Sequence, residues 1–248
     1  MLEILSRSNS LIVETCKLNQ KKYRDIHKEF LVEGHKLINE AIKAGYEVTM
    51  LFRSADCKND FDVKNQILVN NFVIKGLSNN VTPQNCIARV NMLAKKVDYG
   101  GNFLVLDRVQ EPSNVGAILR SALGANFNKI YLIDCADVYE SKALRASMGA
   151  VFHLDLVKMS LAQFLEYASQ HDLELTICSM EGQNVFETDF HFPVGLVIGN
   201  EGQGVSNELR TLSSNLISIP MNNKLESLNA SVSAGIIMYA IKNNQGDM

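Results

Sequence analysis

The chain has 248 residues, 46% hydrophobic and 21% charged, with only 4 Pro and 15 Gly. This composition excludes a disordered, collagenous or linker-like chain and suggests one large domain or two modest ones. The net charge of −3 hides a contrast: residues 1–96 carry 15 Lys and Arg against 10 Asp and Glu, and residues 97–248 carry 9 against 17. A +5 front thus precedes a −8 back, and a basic unit of this kind suits a polyanionic partner.

The start, MLEILSRSNS, lacks a basic stretch followed by a long apolar run, so no secretory signal is expected. No stretch approaches 18 uninterrupted apolar residues, and no membrane span is expected. The five cysteines (Cys16, Cys57, Cys86, Cys135, Cys178) are odd in number and dispersed, without C-x-x-C. They read as reduced thiols of a cytoplasmic protein, with no metal site.

In chain order, a helix is expected from about Asn9, with Leu11, Ile12, Thr15 and Leu18 facing inward. The basic run Lys17, Lys21, Lys22, Arg24 and Lys28 follows, then a short apolar run, Phe30-Leu31-Val32. Gly34 opens a helix with Leu37, Ile38, Ala41 and Ile42 at helical spacing, and Gly45 ends it. Val48–Phe52 and Ile67–Val69 read as strands around a polar, helix-capable stretch. A β-rich piece over Cys86–Leu93 closes a small mixed α/β unit, and Ala94–Asn102 is the linker candidate.

Beyond it strands and helices alternate. Strands are expected at Phe103–Leu106, Ile130–Ile133, Leu154–Val157, Leu173–Cys178, Val194–Ile198 and Leu216–Ile219. Helices are expected at Val115–Gly124, Ser141–Met148, Leu161–Ser169, Asn207–Leu212 and Leu228–Lys242. Such alternation, with continuous apolar strands, predicts a parallel sheet covered on both faces.

An open α/β sheet binds its ligand at the carboxyl ends of its strands, and three post-strand loops carry unusual chemistry. One runs from Asp107 through Asn114 and Gly116, with Arg120 following on its helix. The next is Gly199-Asn200-Glu201-Gly202-Gln203-Gly204. The last begins at Ile219-Pro220-Met221 and ends Glu226-Ser227-Leu228-Asn229-Ala230-Ser231. No dinucleotide fingerprint, P-loop or nucleophile elbow is present.

N-x-G-x-x-x-R at Asn114–Arg120, G-N-E-G-x-G at Gly199–Gly204 and I-P-M…E-S-L-N-A-S-V at Ile219–Val232 resemble the three motifs of the SpoU (TrmH-type) RNA 2′-O-methyltransferases. Phe30-Leu31-Val32-Glu33-Gly34, with the basic run before it, resembles that family's substrate-binding domain, which is similar to ribosomal protein L30e. The resemblance implies an L30e-like RNA-binding domain over residues 1–96. It implies a SPOUT-type α/β catalytic domain over 97–248, its C-terminal stretch threaded into a trefoil knot. It also implies S-adenosylmethionine as cofactor, a homodimer, and transfer of a methyl group to a ribose 2′-hydroxyl of RNA.

Carried over by motif position, Gly199, Ile219 and Leu228 contact the cofactor, with Cys178, Ser179, Asn200 and Gly204 beside them. Arg120, Asn114, Glu201, Ser227 and Asn229 form the catalytic set. Arginine stays protonated to about pH 12, so Arg120 suits a phosphate clamp better than a simple base, although the family's proposal of a phosphate-bound arginine as base stands beside it. Asn114 holds the ribose or shapes its loop, and Asn229 has a competing role at a helix N-terminus. Lys21, Lys22, Arg24, Lys28 and Arg145 are the expected RNA contacts. Ribosomal RNA is the favoured substrate, with transfer RNA, an antibiotic-resistance methylase, or a non-catalytic ribosome-assembly factor as alternatives.

Overall fold

A computed structural model describes residues 2–92 and 101–246. The chain divides into two compact units, one of residues 1–94 with 139–152, the other of residues 95–138 with 153–248. The expected boundary at 96/97, and residues 94–100 of the expected linker, lie outside the described residues. Asn102, at the linker's end, is buried: its Oδ1 accepts from the Val194 N–H at 2.8 Å and its Nδ2 donates to Gln245 Oε1 at 3.1 Å.

The first unit holds a five-stranded mixed sheet. Its strands are β1 (Leu2–Ile4), β2 (Glu29–Glu33), β3 (Val48–Arg53), β4 (Gln66–Val69) and β5 (Cys86–Asn91), in the order β1-β4-β3-β5-β2. β1, β4 and β3 are parallel, while β5 runs antiparallel to β3 and β2. The single helix expected from Asn9 is two, α1 (Ser10–Lys17), capped by Asn9, and α2 (Lys21–His27). α3 (His35–Lys43) starts after Gly34, as expected.

Two elements were not foreseen. β1 is only three residues long. α4 (Asn71–Leu77) is capped by the Asn70 side chain on the Val73 N–H and buries Val73, Ile74 and Leu77. The stretch between β3 and β4 is irregular rather than helical. Its Asp56, Asn59, Asp60 and Asp62 side chains are of the kind that compete with helical backbone bonding.

The motif Phe30–Gly34 is explained by packing. Phe30 and Val32 are wholly buried. The Glu33 carboxylate accepts from Ser78 Oγ at 2.6 Å, Asn80 Nδ2 at 2.7 Å and the Gln84 N–H at 2.7 Å, which pins the loop after α4. Gly34 has φ +92°, a backbone that calls for glycine, whereas the Gln84 amide that a Cβ would meet at 2.2 Å ends a flexible side chain that can turn aside.

The second unit is built on six parallel strands: β6 (Phe103–Asp107), β7 (Lys129–Ile133), β8 (Asp155–Met159), β9 (Leu175–Asn184), β10 (Gly195–Ile198) and β11 (Ser213–Ser218). Their order is β11-β9-β10-β6-β7-β8. Every residue of the neighbouring β6 and β10 is buried, as a parallel sheet covered on both faces requires. Its helices are α5 (Pro112–Gly124), α7 (Leu161–Gln170), α8 (Asn207–Thr211) and α9 (Ala230–Gln245). β9 runs to Asn184, six residues past its expected end, with a register irregularity against β11 between Leu216 and Ile217.

The remaining helix, α6 (Ser141–Ser147), and the 3-10 turn Ala150–Phe152 lie between β7 and β8 in sequence but belong to the first unit. There Tyr139 and Phe152 join Phe30 and Tyr46 in one aromatic cluster, with Phe30 and Tyr139 ring centroids 4.4 Å apart. No helix among the described residues is long and apolar enough to cross a membrane.

The described cysteines are all free. Burial pushes the Cys86 thiol up to about 12, helped by the neighbouring Cys57, and burial likewise pushes Cys135 to about 12. Both thiols therefore stay protonated at neutral pH, and the thiolate is the reactive form. Alkylation with iodoacetamide at pH 8 under native conditions is expected to leave Cys86 and Cys135 unmodified, with both modified in urea. Mass-spectrometric mapping reads the difference.

Candidate active site

The three motif loops meet through side-chain amides. Asn114 lies in the first turn of α5, which Pro112 starts and the Glu111 carboxylate caps at the Ser113 N–H. Asn114 is buried; its Nδ2 donates to Glu201 Oε1 at 2.9 Å and its Oδ1 accepts from Asn229 Nδ2 at 3.0 Å. Asn229 caps α9, its Oδ1 accepting from the Ser231 N–H at 2.9 Å and Ser231 Oγ at 2.7 Å. Because only the amide oxygen can accept from helix N–H groups, the cap fixes the direction of the chain of bonds from Asn229 to Asn114 to Glu201. The two readings of Asn229 are thus joined in one residue: helix cap and site component.

Glu201 ends the chain. Burial raises its carboxyl, but the Asn114 amide and backbone N–H groups outweigh this and hold it below the ordinary carboxylate value. Ionised Glu201 is the acceptor that the outward-directed Asn114 amide needs. Asn114→Asp sets a second carboxylate against it, and like charges at this distance oppose ionisation. The variant is expected to lose about 1–3 kcal/mol of stability above pH 6, measured by urea unfolding, and to recover part of it below pH 4.5 as one carboxyl protonates.

The glycine-rich turn is folded on itself. Asn200 and Gly204 exchange backbone hydrogen bonds at 3.1 and 2.9 Å, and Asn200 Oδ1 accepts from the Gly202 and Gln203 N–H groups, both at 2.9 Å. A Cβ on Gly199 would fall 2.4 Å from the Gly204 carbonyl carbon and the Val205 nitrogen. Glycine at 199 is therefore a close-approach requirement. Ile219 and Leu228, half-buried, flank the irregular stretch from β11 to α9, and Cys178 and Ser179 lie in β9 just beyond its pairing with β10.

Arg120 and Ser227 are exposed and make no side-chain hydrogen bond or ion pair among the described residues. Arg120 lies on α5 six residues past Asn114, so the two point to different sides of the helix. Sequence reasoning passed over Asp107, fully buried at the end of β6, and Arg108, whose guanidinium it holds. An Asp closing an otherwise apolar buried strand was the signal.

The expected RNA contacts separate in the first unit. Lys21, Lys22 and Lys28 are exposed, and Lys22 lies 5.8 Å from the Tyr23 ring centroid. Arg24 is only 4% exposed, and its Nη1 donates to the Leu18 carbonyl at 2.9 Å. It braces the turn between α1 and α2 and is removed from the RNA-contacting set, because a buried guanidinium cannot reach a phosphate. Arg145 is exposed but donates to Asn80 Oδ1, which also accepts from Ser141 Oγ at 3.2 Å.

Parallel strands with polar loops gathered at their carboxyl ends, one of them a glycine-rich turn, define an α/β protein that binds its ligand at that edge. Residues 101–239 match the SpoU rRNA Methylase family, and residues 9–88 match the MRM3-like substrate binding domain. The chain belongs to the SpoU rRNA methylase family. It is 27% identical to the 23S rRNA (guanosine(2553)-2′-O)-methyltransferase RlmP of Bacillus subtilis, covering 98% of this chain and 100% of that protein. It is 31% identical to a 23S rRNA (uridine(2479)-2′-O)-methyltransferase of Streptomyces viridochromogenes, covering 90% and 85%. Its fold superposes on the crystal structure of the SpoU methyltransferase AviRb from the same organism, in complex with AdoMet, with a TM-score of 0.84 and 28% identity over 96% of this chain and 98% of that one.

Proposed function

We propose that this protein transfers a methyl group from S-adenosylmethionine to a ribose 2′-hydroxyl of ribosomal RNA. The observation that carries the reading is the bonded set Glu201–Asn114–Asn229, which joins all three motif loops at the carboxyl edge of the sheet. The rRNA substrates of RlmP and the Streptomyces viridochromogenes enzyme, relatives over nearly the whole chain, support rRNA over tRNA.

The residues present fit the cofactor. Irregular backbone at Gly199–Gly204 and after Ile219 offers the donors and acceptors that adenine and ribose edges need, and Ile219 and Leu228 offer apolar walls. Bound S-adenosylmethionine supplies an electrophilic methyl carbon on a sulfonium that leaves as a neutral thioether. The chain's own task is to bring a poorly acidic hydroxyl into line with that carbon. We assign Arg120 to the phosphate beside the target ribose: an exposed guanidinium with no hydrogen bond or ion pair among the described residues is a two-pronged donor for it, which orients the 2′-hydroxyl. Glu201, Asn114 and Asn229 fix the loops around the reacting groups, and Ser227 lies on the loop that leads into α9.

Lys21, Lys22 and Lys28 supply backbone contacts to the RNA in this reading. The homodimer and trefoil knot implied by the family resemblance belong to the same proposal. In support of the knot, the chain leaves the edge strand β11 and then packs α9 against α5 and β10, two strands further in.

The test is transfer of labelled methyl from S-adenosylmethionine to purified rRNA and tRNA. Label confined to rRNA and resident on ribose is expected, with RNA affinity falling steeply as salt rises because phosphate contacts release counterions. Cofactor binding with no transfer to any RNA would favour a non-catalytic assembly factor.

A further inference from the structure

The end of β6 carries contacts that the methyl transfer does not use. Asp107 is wholly buried, and its carboxylate accepts from Arg108 Nε at 2.9 Å, Arg108 Nη2 at 3.1 Å and the Ser206 N–H at 2.7 Å. The same guanidinium reaches onward, through Nη1 to Gln203 Oε1 at 3.0 Å and through Nη2 to the Gly204 carbonyl at 3.4 Å. The Arg108 carbonyl accepts from Asn200 Nδ2 at 2.8 Å. One residue thereby ties a buried carboxylate to three positions of the glycine-rich turn.

Its backbone makes the point sharper. Arg108 has φ +56°, a left-handed conformation that glycine adopts freely and arginine rarely. A turn that asked only for this backbone would be served by glycine. The guanidinium's bonds account for an arginine in its place.

We propose that Arg108 is a positioning residue for the cofactor: anchored on Asp107, its fork holds the Gly199–Gly204 turn in the arrangement that S-adenosylmethionine meets. This rests on the cofactor reading of that turn. Without the fork the turn samples other arrangements, and apparent affinity falls with the population of the competent one. Turnover at saturating cofactor depends on Arg120 and the amide-linked set, and it is retained.

The test titrates the full chain with S-adenosylmethionine by calorimetry and measures KM and kcat for methyl transfer. Arg108→Gly keeps the backbone conformation and removes the fork. It is expected to raise Kd and KM about 10-fold or more while kcat changes less than about threefold. Arg108→Lys restores only part of the affinity, since an ammonium cannot make the two-pronged contact.

Arg108→Gly also leaves Asp107 buried without its partner, so the double variant Asp107→Asn/Arg108→Gly is measured beside it. The neutral amide is expected to recover Tm but not cofactor affinity. Unchanged affinity in Arg108→Gly, or affinity that returns with Tm in the double variant, overturns the proposal. A wild-type protein that binds no S-adenosylmethionine overturns the cofactor reading itself, and the proposal with it.

Discussion

Arg120→Ala is expected to lower methyl transfer by about 100–1,000-fold, the loss typical when a preorganised donor to a reacting oxyanion or phosphate is removed. Cofactor affinity should stay within about twofold of wild type, since Arg120 makes no hydrogen bond to the Gly199–Gly204 turn. Arg120 makes no side-chain hydrogen bond or ion pair among the described residues, so unfolding midpoints should match. Arg120→Lys keeps the charge but not the fork and should recover only a small part of the rate. Single-turnover transfer to rRNA with calorimetry alongside reads both quantities. Full activity in the alanine variant would remove Arg120 from the chemistry.

The largest effect on stability is expected from Phe30→Ala. Phe30 is wholly buried, in contact with Tyr139 and facing Tyr46 edge-on. Truncating a buried Phe removes its transfer free energy and leaves a cavity, together about 3–5 kcal/mol. Set against a typical domain stability of about 5–15 kcal/mol, that is enough to leave the first unit marginal. Phe30→Leu should lose less than half as much, because much of the volume is kept. Urea unfolding followed by aromatic circular dichroism measures the difference; a loss below about 1 kcal/mol for Phe30→Ala would show that the ring cluster does not hold the unit together.

The same cluster bears on dissection of the chain. Residues 139–152 belong with the first unit, so removing residues 1–94 strips the partners from Tyr139, Leu144 and Phe152. The shortened chain exposes apolar side chains that the full chain buries, and a clean cut near residue 96 does not yield the second unit alone.

That grouping marks where the sequence stopped being readable. Apolar runs such as Phe103–Leu106 and Val194–Ile198 state their own burial, and the parallel sheet follows from their alternation with helices. The motif loops were legible because each is local. Their joining was not: Asn114 meets partners 87 and 115 residues away, and nothing in the spacing shows which amide faces which.

Arg24 failed for a different reason. In a helix of seven residues a buried guanidinium looks, by pattern alone, like one more cation in a basic run. The Leu18 carbonyl, presented at the end of α1, accepts from its guanidinium inside the fold. α4 lay outside the expected elements although Val73, Ile74 and Leu77 follow helical spacing; it is only seven residues long and its cap is a side chain, Asn70. Of the expected RNA contacts in the basic front, Lys21, Lys22 and Lys28 are exposed.

The central claim is methylation of a ribose 2′-hydroxyl in ribosomal RNA. Alkaline cleavage of RNA proceeds through the free 2′-hydroxyl, so a methylated ribose leaves an uncut linkage. Ribosomal RNA from cells with and without the gene, cleaved in alkali and read at nucleotide resolution, tests the claim directly. The account predicts a resistant linkage present with the gene, absent without it, and restored by the wild-type protein but not by Arg120→Ala. Identical cleavage patterns in both rRNA samples, with a gene-dependent resistant site in tRNA or none at all, would contradict it.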